Sequence, residues 1–177
     1  MSRVVILMGS PRKGGNTDLL AQSFADGASK HNIVDIVSVT DYKVDPCIGC
    51  NACAKSEGNR CFQKDDMDKV YELLKKADVL VLASPVYFCG ISAQLKAIVD
   101  RMHTPMRNEF SIKKVALLLV EGGNSSFEPI LLQYQDILNH FHLEDMGRVL
   151  VTGAREKGEI KGKEALKEAY ELGLSIQ

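Results

Sequence analysis

The sequence predicts an α/β protein built on a doubly wound, five-stranded parallel sheet with helices on both faces. Short apolar runs rich in Val, Ile and Leu recur along the chain, as expected of strands that are buried on both faces. Segments with helical periodicity separate these runs. This alternation of strand and helix indicates right-handed βαβ crossovers, which pack helices onto both faces of one sheet.

The elements follow one another in strict alternation. The predicted strands span Val4–Met8, Ile33–Val39, Val79–Ala83, Val115–Val120 and Arg148–Thr152. The predicted helices carry apolar residues on one face and span Asp18–Lys30, Met67–Leu74, Ser92–Met102, Ile130–Phe141 and Lys163–Leu174. In such a sheet, ligands bind at the carboxyl ends of the strands, so the loops that follow the strands are the candidate sites.

The length of 177 residues favours one domain, for which a flavodoxin-like arrangement fits best. We therefore predict a single domain over residues 1–177, with an irregular insert at about 40–64 that is long for a connection in this fold. The chain is 45% hydrophobic and 25% charged, which is the composition of a folded protein rather than a disordered one.

The charge balance argues against some partners. Twenty-two Lys and Arg against 23 Asp and Glu give a net charge of −1, so no positive field gathers nucleic acid or anionic lipid. No apolar run reaches the ~20 residues of a membrane span. The first run is also too short for a secretory signal, so we expect a cytoplasmic protein without membrane contacts.

The loop after the first strand is typical of a phosphate site. It runs directly into a helix, so its free N–H groups lie at the positive end of the helix dipole. It lacks the Gly-Lys-Ser/Thr ending of a triphosphate loop and the Gly-x-Gly-x-x-Gly fingerprint, which disfavours ATP, GTP and a Rossmann-type NAD site. The alternative is a Gly-rich turn with a plain helix N-cap. The residues that suit an anion are Ser10, Arg12, Gly14, Gly15, Asn16 and Thr17.

The loop after the third strand is suited to a flat ring. It places Tyr87 and Phe88 side by side in a chain that is only 6% aromatic, and Pro85 fixes its backbone. The alternative is that both aromatics pack in the core or in an interface. After the next strand, Gly122 and Gly123 leave room for a ligand, although an ordinary glycine turn explains them equally well.

These motifs resemble the NADPH-dependent FMN reductase family of flavodoxin-like proteins. The resemblance covers the first two thirds of the chain. Its motifs are Gly9-Ser10-Pro11-Arg12, Gly15-Asn16-Thr17, Ser84-Pro85-Val86-Tyr87, Lys96 and Asp100-Arg101. It implies FMN with its phosphate at Ser10, Arg12, Gly15, Asn16 and Thr17. The ring would lie against Pro85, Val86, Tyr87 and Phe88, with Gly122 and Gly123 at its other edge.

The resemblance also implies an enzyme. FMN would take a hydride from NADH or NADPH and pass electrons to a quinone, a flavin or another small acceptor. Because the flavin carries this chemistry, we name no side chain as catalytic. Members of this fold assemble as dimers or tetramers, so a homodimer or homotetramer is expected.

Four cysteines form a compact motif in the insert. Cys47, Cys50, Cys53 and Cys61 are spaced closely enough to hold an iron–sulfur cluster or a zinc ion. The motif resembles the iron–sulfur flavoproteins, which implies a [4Fe-4S] cluster with these four ligands. The alternatives are reduced thiols that pack the insert, a structural zinc, or a dithiol that responds to redox state.

Two further functions follow from this motif. One is an electron carrier that exchanges single electrons with a ferredoxin-like redox protein. The other is a flavin or thiol redox sensor that binds a protein partner. We expect Cys89 to be a small packing residue beside the flavin, and all four His residues to be surface or interface residues.

Overall fold

Five parallel strands form the centre of the protein in the computed structural model, which describes residues 1–124 and 126–177. They are β1 (Arg3–Met8), β2 (Ile33–Ser38), β3 (Val79–Tyr87), β5 (Lys114–Val120) and β6 (Glu144–Val151), and a two-residue strand, β4 (Gly90–Ile91), pairs antiparallel with the end of β3. The strand order is β2-β1-β3-β5-β6. This is the flavodoxin-like order, so the predicted fold class is confirmed.

The described part of the chain contains six α-helices, of which five lie between strands and the sixth follows the last strand. They are α1 (Asn16–Ala28), α2 (Met67–Leu74), α3 (Ala93–Arg101), α4 (His103–Asn108), α5 (Glu128–Phe141) and α6 (Glu164–Leu174). The insert contains two single-turn 3-10 helices, Ala52–Lys55 and Glu57–Asn59. None of the helices described is long and apolar enough to cross a bilayer.

The sheet separates two apolar cores because side chains alternate across its strands. Val4 and Ile6 face α1 and α6, whereas Val5 and Leu7 face α2, α3 and α5. All four side chains are fully buried. Strands β1, β3 and β5 are therefore apolar on both faces, which is why their sequences are continuous apolar runs.

Helices α1 and α6 cross at very close range. A Cβ atom added at Gly27 would lie 2.0 Å from the carbonyl oxygen of Tyr170. One added at Gly173 would lie 2.1 Å from the carbonyl oxygen of Phe24. Only glycine at both positions lets the two backbones approach this closely.

The structure corrects several predicted boundaries. Strand β3 continues through the predicted loop as far as Tyr87, because Ser84 and Pro85 still pair with β5. Strand β6 begins at Glu144 rather than Arg148, since half-exposed and polar residues of an edge strand break the apolar pattern. Neither α4 nor β4 was predicted, and both are too short to show a periodicity of their own.

Candidate functional site

The candidate site lies where the strand order reverses. From β1 the chain crosses to β2 on one side, while β3 lies on the other, which opens a crevice at the carboxyl ends of β1 and β3. The loop after β1 and the end of β3, both predicted as site segments, meet there.

Two buried serines hold these segments at a fixed distance. Ser92 Oγ donates to the carbonyl oxygen of Gly9 at 2.7 Å, and the backbone N–H of Ser92 donates to Ser84 Oγ at 3.0 Å. Both serines are fully buried. A Cβ atom at Gly9 would lie 2.9 Å from Ser92 Oγ, so this close contact requires glycine.

The loop after β1 presents unused donors to the crevice. Gly15 precedes α1 and makes no side-chain cap, so the N–H groups of the first helical turn have no intrahelical partner. Thr17 is only 2% exposed, and its hydroxyl has no hydrogen-bond partner within 1–124 and 126–177. Gly14 adopts a left-handed conformation, with φ +67°, and its N–H donates to Asp18 Oδ2 at 2.7 Å. The unpaired hydroxyl of a largely buried threonine, beside free N–H groups of the first helical turn, is well suited to an anion.

The crevice contains a cleft of about 210 Å³ that brings most of the predicted flavin residues together. The predicted residues that line it are Ser10, Arg12, Gly15, Asn16, Thr17, Pro85, Val86, Tyr87 and Gly122. Phe88 and Gly123 do not line it.

Phe88 and Cys89 form the exposed tip of the β3–β4 hairpin. Both are in the left-handed region, with φ of 47° and 63°, which a two-residue hairpin turn requires. The Phe88 side chain is fully exposed, and Cys89 is exposed as well. The packing role expected for Cys89 is therefore wrong in this chain. All four His residues are exposed, as expected.

Sequence reasoning missed two cations in the cleft, Arg155 and Lys157. Both lie in residues 152–160, the segment that follows β6 (segment 152–160). The signal was available, because the carboxyl ends of all parallel strands meet at one edge of the sheet. Arg155 and Lys157, which directly follow β6, therefore belong to the same edge as the loop after β1.

The side chain of Asn16, which was predicted to bind an anion, is hydrogen-bonded to the protein itself. Its amide nitrogen donates to the carbonyl oxygens of Ala154 at 2.9 Å and of Glu156 at 2.8 Å. The Asn16 side chain thus ties segment 152–160 to the start of α1. Its backbone N–H still belongs to the first turn of α1, and Asn16 lines the cleft.

The four clustered cysteines line a second, larger cavity of about 1180 Å³ between the insert and helices α3, α4 and α5. Cys47 and Cys50 are exposed, and Cys53 and Cys61 are half-buried. All are free thiols, and Cys53 Sγ lies 3.3 Å from Thr104 Oγ1.

A buried ion pair closes the insert beside these thiols. Arg101 Nη1 contacts Asp65 Oδ2 and donates to the carbonyl oxygen of Asp45 at 3.1 Å. Asp65 in turn accepts the N–H of Asp45 at 2.8 Å and that of Met67 at 3.0 Å. The two charged side chains are 2% and 3% exposed. The pair therefore fastens both ends of the insert to α3.

The ionisation of this region follows from its contacts. Burial alone raises the pKa of Asp65, but hydrogen bonds from Arg101 and from two backbone N–H groups lower it overall. Burial raises the pKa of Tyr71 to about 12, and its hydroxyl donates to the carbonyl oxygen of Arg101 at 2.8 Å. Asp65 is thus a carboxylate and Tyr71 a neutral phenol at neutral pH.

The cysteine cavity fits an iron–sulfur cluster in donor type but not in arrangement. Four thiols supply the soft ligands that such a cluster requires, and Arg101 Nε is buried without a partner in the described part of the chain, which suits an anionic group nearby. However, no three His, Cys, Asp or Glu side chains in the described ranges converge as metal ligands.

A glycine-rich loop suited to an anion and an aromatic strand end, both at the switch point of a flavodoxin-like sheet, are typical of the flavin-mononucleotide-binding class of α/β proteins. Comparison with known proteins agrees. The chain matches the NADPH-dependent FMN reductase model over residues 2–157 and belongs to that family. It is therefore an oxidoreductase, with FMN as its cofactor and NAD(P)H as its co-substrate.

Individual relatives extend this comparison. The chain is 38% identical to an iron–sulfur flavoprotein of Methanocaldococcus jannaschii, over 81% of this chain and 74% of the relative. It is 32% identical to an iron–sulfur flavoprotein of Archaeoglobus fulgidus, over 98% of this chain and 78% of the relative. Among solved structures, an NAD(P)H:quinone oxidoreductase from Methanothermobacter marburgensis superposes with a TM-score of 0.75 at 15% identity, covering 99% of both chains. This last likeness concerns the fold.

Proposed function

We propose that this protein is an FMN-dependent NAD(P)H oxidoreductase that passes electrons from a pyridine nucleotide to a quinone, a flavin or another small acceptor. The observation that carries the proposal is the cleft at the carboxyl ends of β1 and β3, where free helix N–H groups, the unpaired Thr17 hydroxyl and the aromatic strand end meet. When bound, FMN supplies the hydride acceptance and the electron transfer.

The side chains of the cleft have binding roles in this proposal. Ser10, Arg12 and Thr17 hold the phosphate together with the backbone N–H groups of Asn16 and Thr17. Gly15, whose N–H donates to the carbonyl oxygen of Arg12 at 2.9 Å, lets the backbone close around the phosphate. Pro85, Val86 and Tyr87 place the ring at the mouth of the cleft. Gly122 gives the ring space at its other edge. We also propose that Phe88 and Gly123 contact the ring edge from outside the cleft.

We further propose a homodimer or homotetramer. The exposed Tyr87 and Phe88 stand at the end of β3, beside the proposed flavin ring. A second protomer that covers them removes exposed aromatic surface from water and shields the ring.

Flavin titrations of matched Thr17 variants test the proposed site. Thr17→Val keeps the shape of the side chain but removes the hydroxyl, so the dissociation constant for FMN is expected to rise about tenfold or more. Thr17→Ser keeps the hydroxyl and is expected to bind FMN like the wild type. The measurement is quenching of flavin fluorescence. Equal FMN affinities in the Val and Ser variants would contradict the assignment of this hydroxyl.

Steady-state kinetics test the activity. FMN-loaded protein is expected to oxidise NADH or NADPH when a quinone or free flavin is added. An FMN-loaded protein that does not oxidise either nucleotide with any of these acceptors would refute the proposed reaction.

A second candidate function is that of an iron–sulfur flavoprotein that carries electrons to a ferredoxin-like partner. It is favoured because all four clustered cysteines line one cavity, and because close relatives carry that name. Cys47, Cys50, Cys53 and Cys61 would then be the ligands of a [4Fe-4S] cluster.

Iron and acid-labile sulfide assays on protein purified without air test this candidate. About four irons per chain are expected for one such cluster, and Cys50→Ser is expected to lower the iron content. Cys89→Ser is the matched control, because Cys89 is an exposed thiol outside the insert. Wild-type protein without iron, or equal iron in both variants, would exclude the proposed ligation.

A further inference from the structure

We propose that Arg155 and Lys157 form the second half of the phosphate site, and that Asn16 acts on the phosphate indirectly by holding them in place. This inference rests on the proposed FMN site. It assigns the selection of a phosphate monoester, and hence of FMN over riboflavin, to a segment that follows β6.

The first argument is the position of Arg155 and Lys157. Both line the same cleft as the loop after β1. A Cβ atom built at Gly14 would lie 3.6 Å from Lys157 Nζ, and one built at Gly122 would lie 3.3 Å from Arg155 Cα. Lys157 therefore lies over the phosphate loop, while Arg155 lies beside the loop that follows β5.

The second argument is the charge of the side chains that line the cleft. Neither Arg155 nor Lys157 forms an ion pair with any residue in 1–124 or 126–177, and the same holds for Arg12. Three cations thus converge without acidic partners on the amino-terminal end of α1. A phosphate monoester is nearly a dianion at neutral pH, and it gains more from such a cluster than a neutral ribityl chain does.

The third argument is the pair of hydrogen bonds by which the Asn16 side chain holds segment 152–160. Asn16 donates to the carbonyl oxygens of Ala154 and Glu156, which flank Arg155 in the chain. A second link joins the loops, since the N–H of Gly153 donates to the carbonyl oxygen of Gly123 at 2.7 Å. Fixing the backbone on both sides of Arg155 lowers the entropy lost when its side chain engages a ligand. Asn16 is therefore a positioning residue whose amide is occupied by the protein.

Paired titrations with FMN and riboflavin test the assignment. In Arg155→Ala and Lys157→Ala, FMN affinity is expected to fall about tenfold or more, because a charged hydrogen bond is lost. Riboflavin affinity is expected to stay unchanged. Lys161→Ala is the matched control, since Lys161 is an exposed lysine that directly follows segment 152–160 and does not line the cleft. Equal FMN affinities in wild type and both cleft variants would overturn the proposal.

A double-mutant cycle separates positioning from direct contact. Asn16→Leu keeps the branched outline of the side chain but removes both hydrogen bonds to segment 152–160, so it is expected to lower FMN affinity. If Asn16 acts through Arg155, its effect shrinks in an Arg155→Ala background. Additive effects on FMN affinity would overturn the positioning role.

NADPH also carries a phosphate monoester, so it is the other ligand whose phosphate has the chemistry that Arg155 and Lys157 recognise. The ratio of KM for NADH to KM for NADPH is expected to be the same in wild type and Lys157→Ala. A loss of NADPH preference with unchanged FMN affinity would overturn the proposal in favour of a nucleotide site. Failure of the wild type to bind either flavin would instead refute the proposed function itself.

Discussion

The buried ion pair between Asp65 and Arg101 makes the stability of the cysteine insert directly measurable. Asp65→Asn removes the charge that compensates Arg101, whose side chain is only 2% exposed. The carboxylate also accepts two backbone N–H groups in addition to the guanidinium, and an amide has a single acceptor oxygen for all three donors. Leaving a buried charge unpaired costs about 3–5 kcal/mol.

That cost is a large fraction of the ~5–15 kcal/mol by which domains are stable. For a chain of this size, each kcal/mol shifts the unfolding midpoint by about 2–4 °C. We therefore expect Asp65→Asn to lower Tm by roughly 6–20 °C. Differential scanning calorimetry without added flavin or metal measures this shift.

Asp66→Asn is the matched control for this experiment. Asp66 is adjacent in the chain and pairs with Lys69, but that lysine is 72% exposed. Because exposed ion pairs contribute about 0–1 kcal/mol, only a small change in Tm is expected. Equal shifts in the two variants would refute the argument that burial makes the Asp65 pair important. A Tm of Asp65→Asn equal to that of the wild type would refute it as well.

Three other predictions follow from the described contacts. Gly27→Ala places a Cβ 2.0 Å from the carbonyl oxygen of Tyr170, so chemical denaturation should show that the free energy of unfolding falls by about 1–3 kcal/mol or more. Gly90→Ala is the control, because a Cβ there has no atom closer than 3.8 Å. Equal losses in the two variants would contradict this prediction. The lowered pKa of Asp65 means that its stabilisation is present above the ordinary carboxyl pKa of about 4 and is lost as pH falls through the lowered value. Acid titrations followed by circular dichroism should thus show a steeper loss for wild type than for Asp65→Asn below about pH 4, and parallel curves would argue against it. Cys89→Gly should stabilise the protein by about 1 kcal/mol, because Cys89 has φ of 63°, a conformation that glycine adopts without strain. Cys89→Ala should not stabilise it. Equal unfolding midpoints for the two variants would be inconsistent with strain at this turn.

Much of the fold was predictable because its information is local. Strands β1, β3 and β5 are apolar on both faces, and this leaves continuous runs in the sequence. The phosphate site proposed after β1 was suggested by local information too, since its glycines and short polar side chains are consecutive. Prediction failed at β6, where an edge strand with polar and half-exposed residues begins four positions earlier than the apolar pattern indicates.

The sequence by itself determined the flavodoxin-like class, the glycine-rich loop after β1 and the compact cysteine motif, because each depends on neighbouring residues. Only the tertiary structure decided what Asn16 binds, since its amide partners lie 138 and 140 residues away. It also decided that Lys157 lies over Gly14 and that Arg101 closes the insert through Asp65, 36 residues distant. Such contacts arise where separate strands end at one edge of the sheet or where a helix packs beneath a loop, and no local periodicity encodes them.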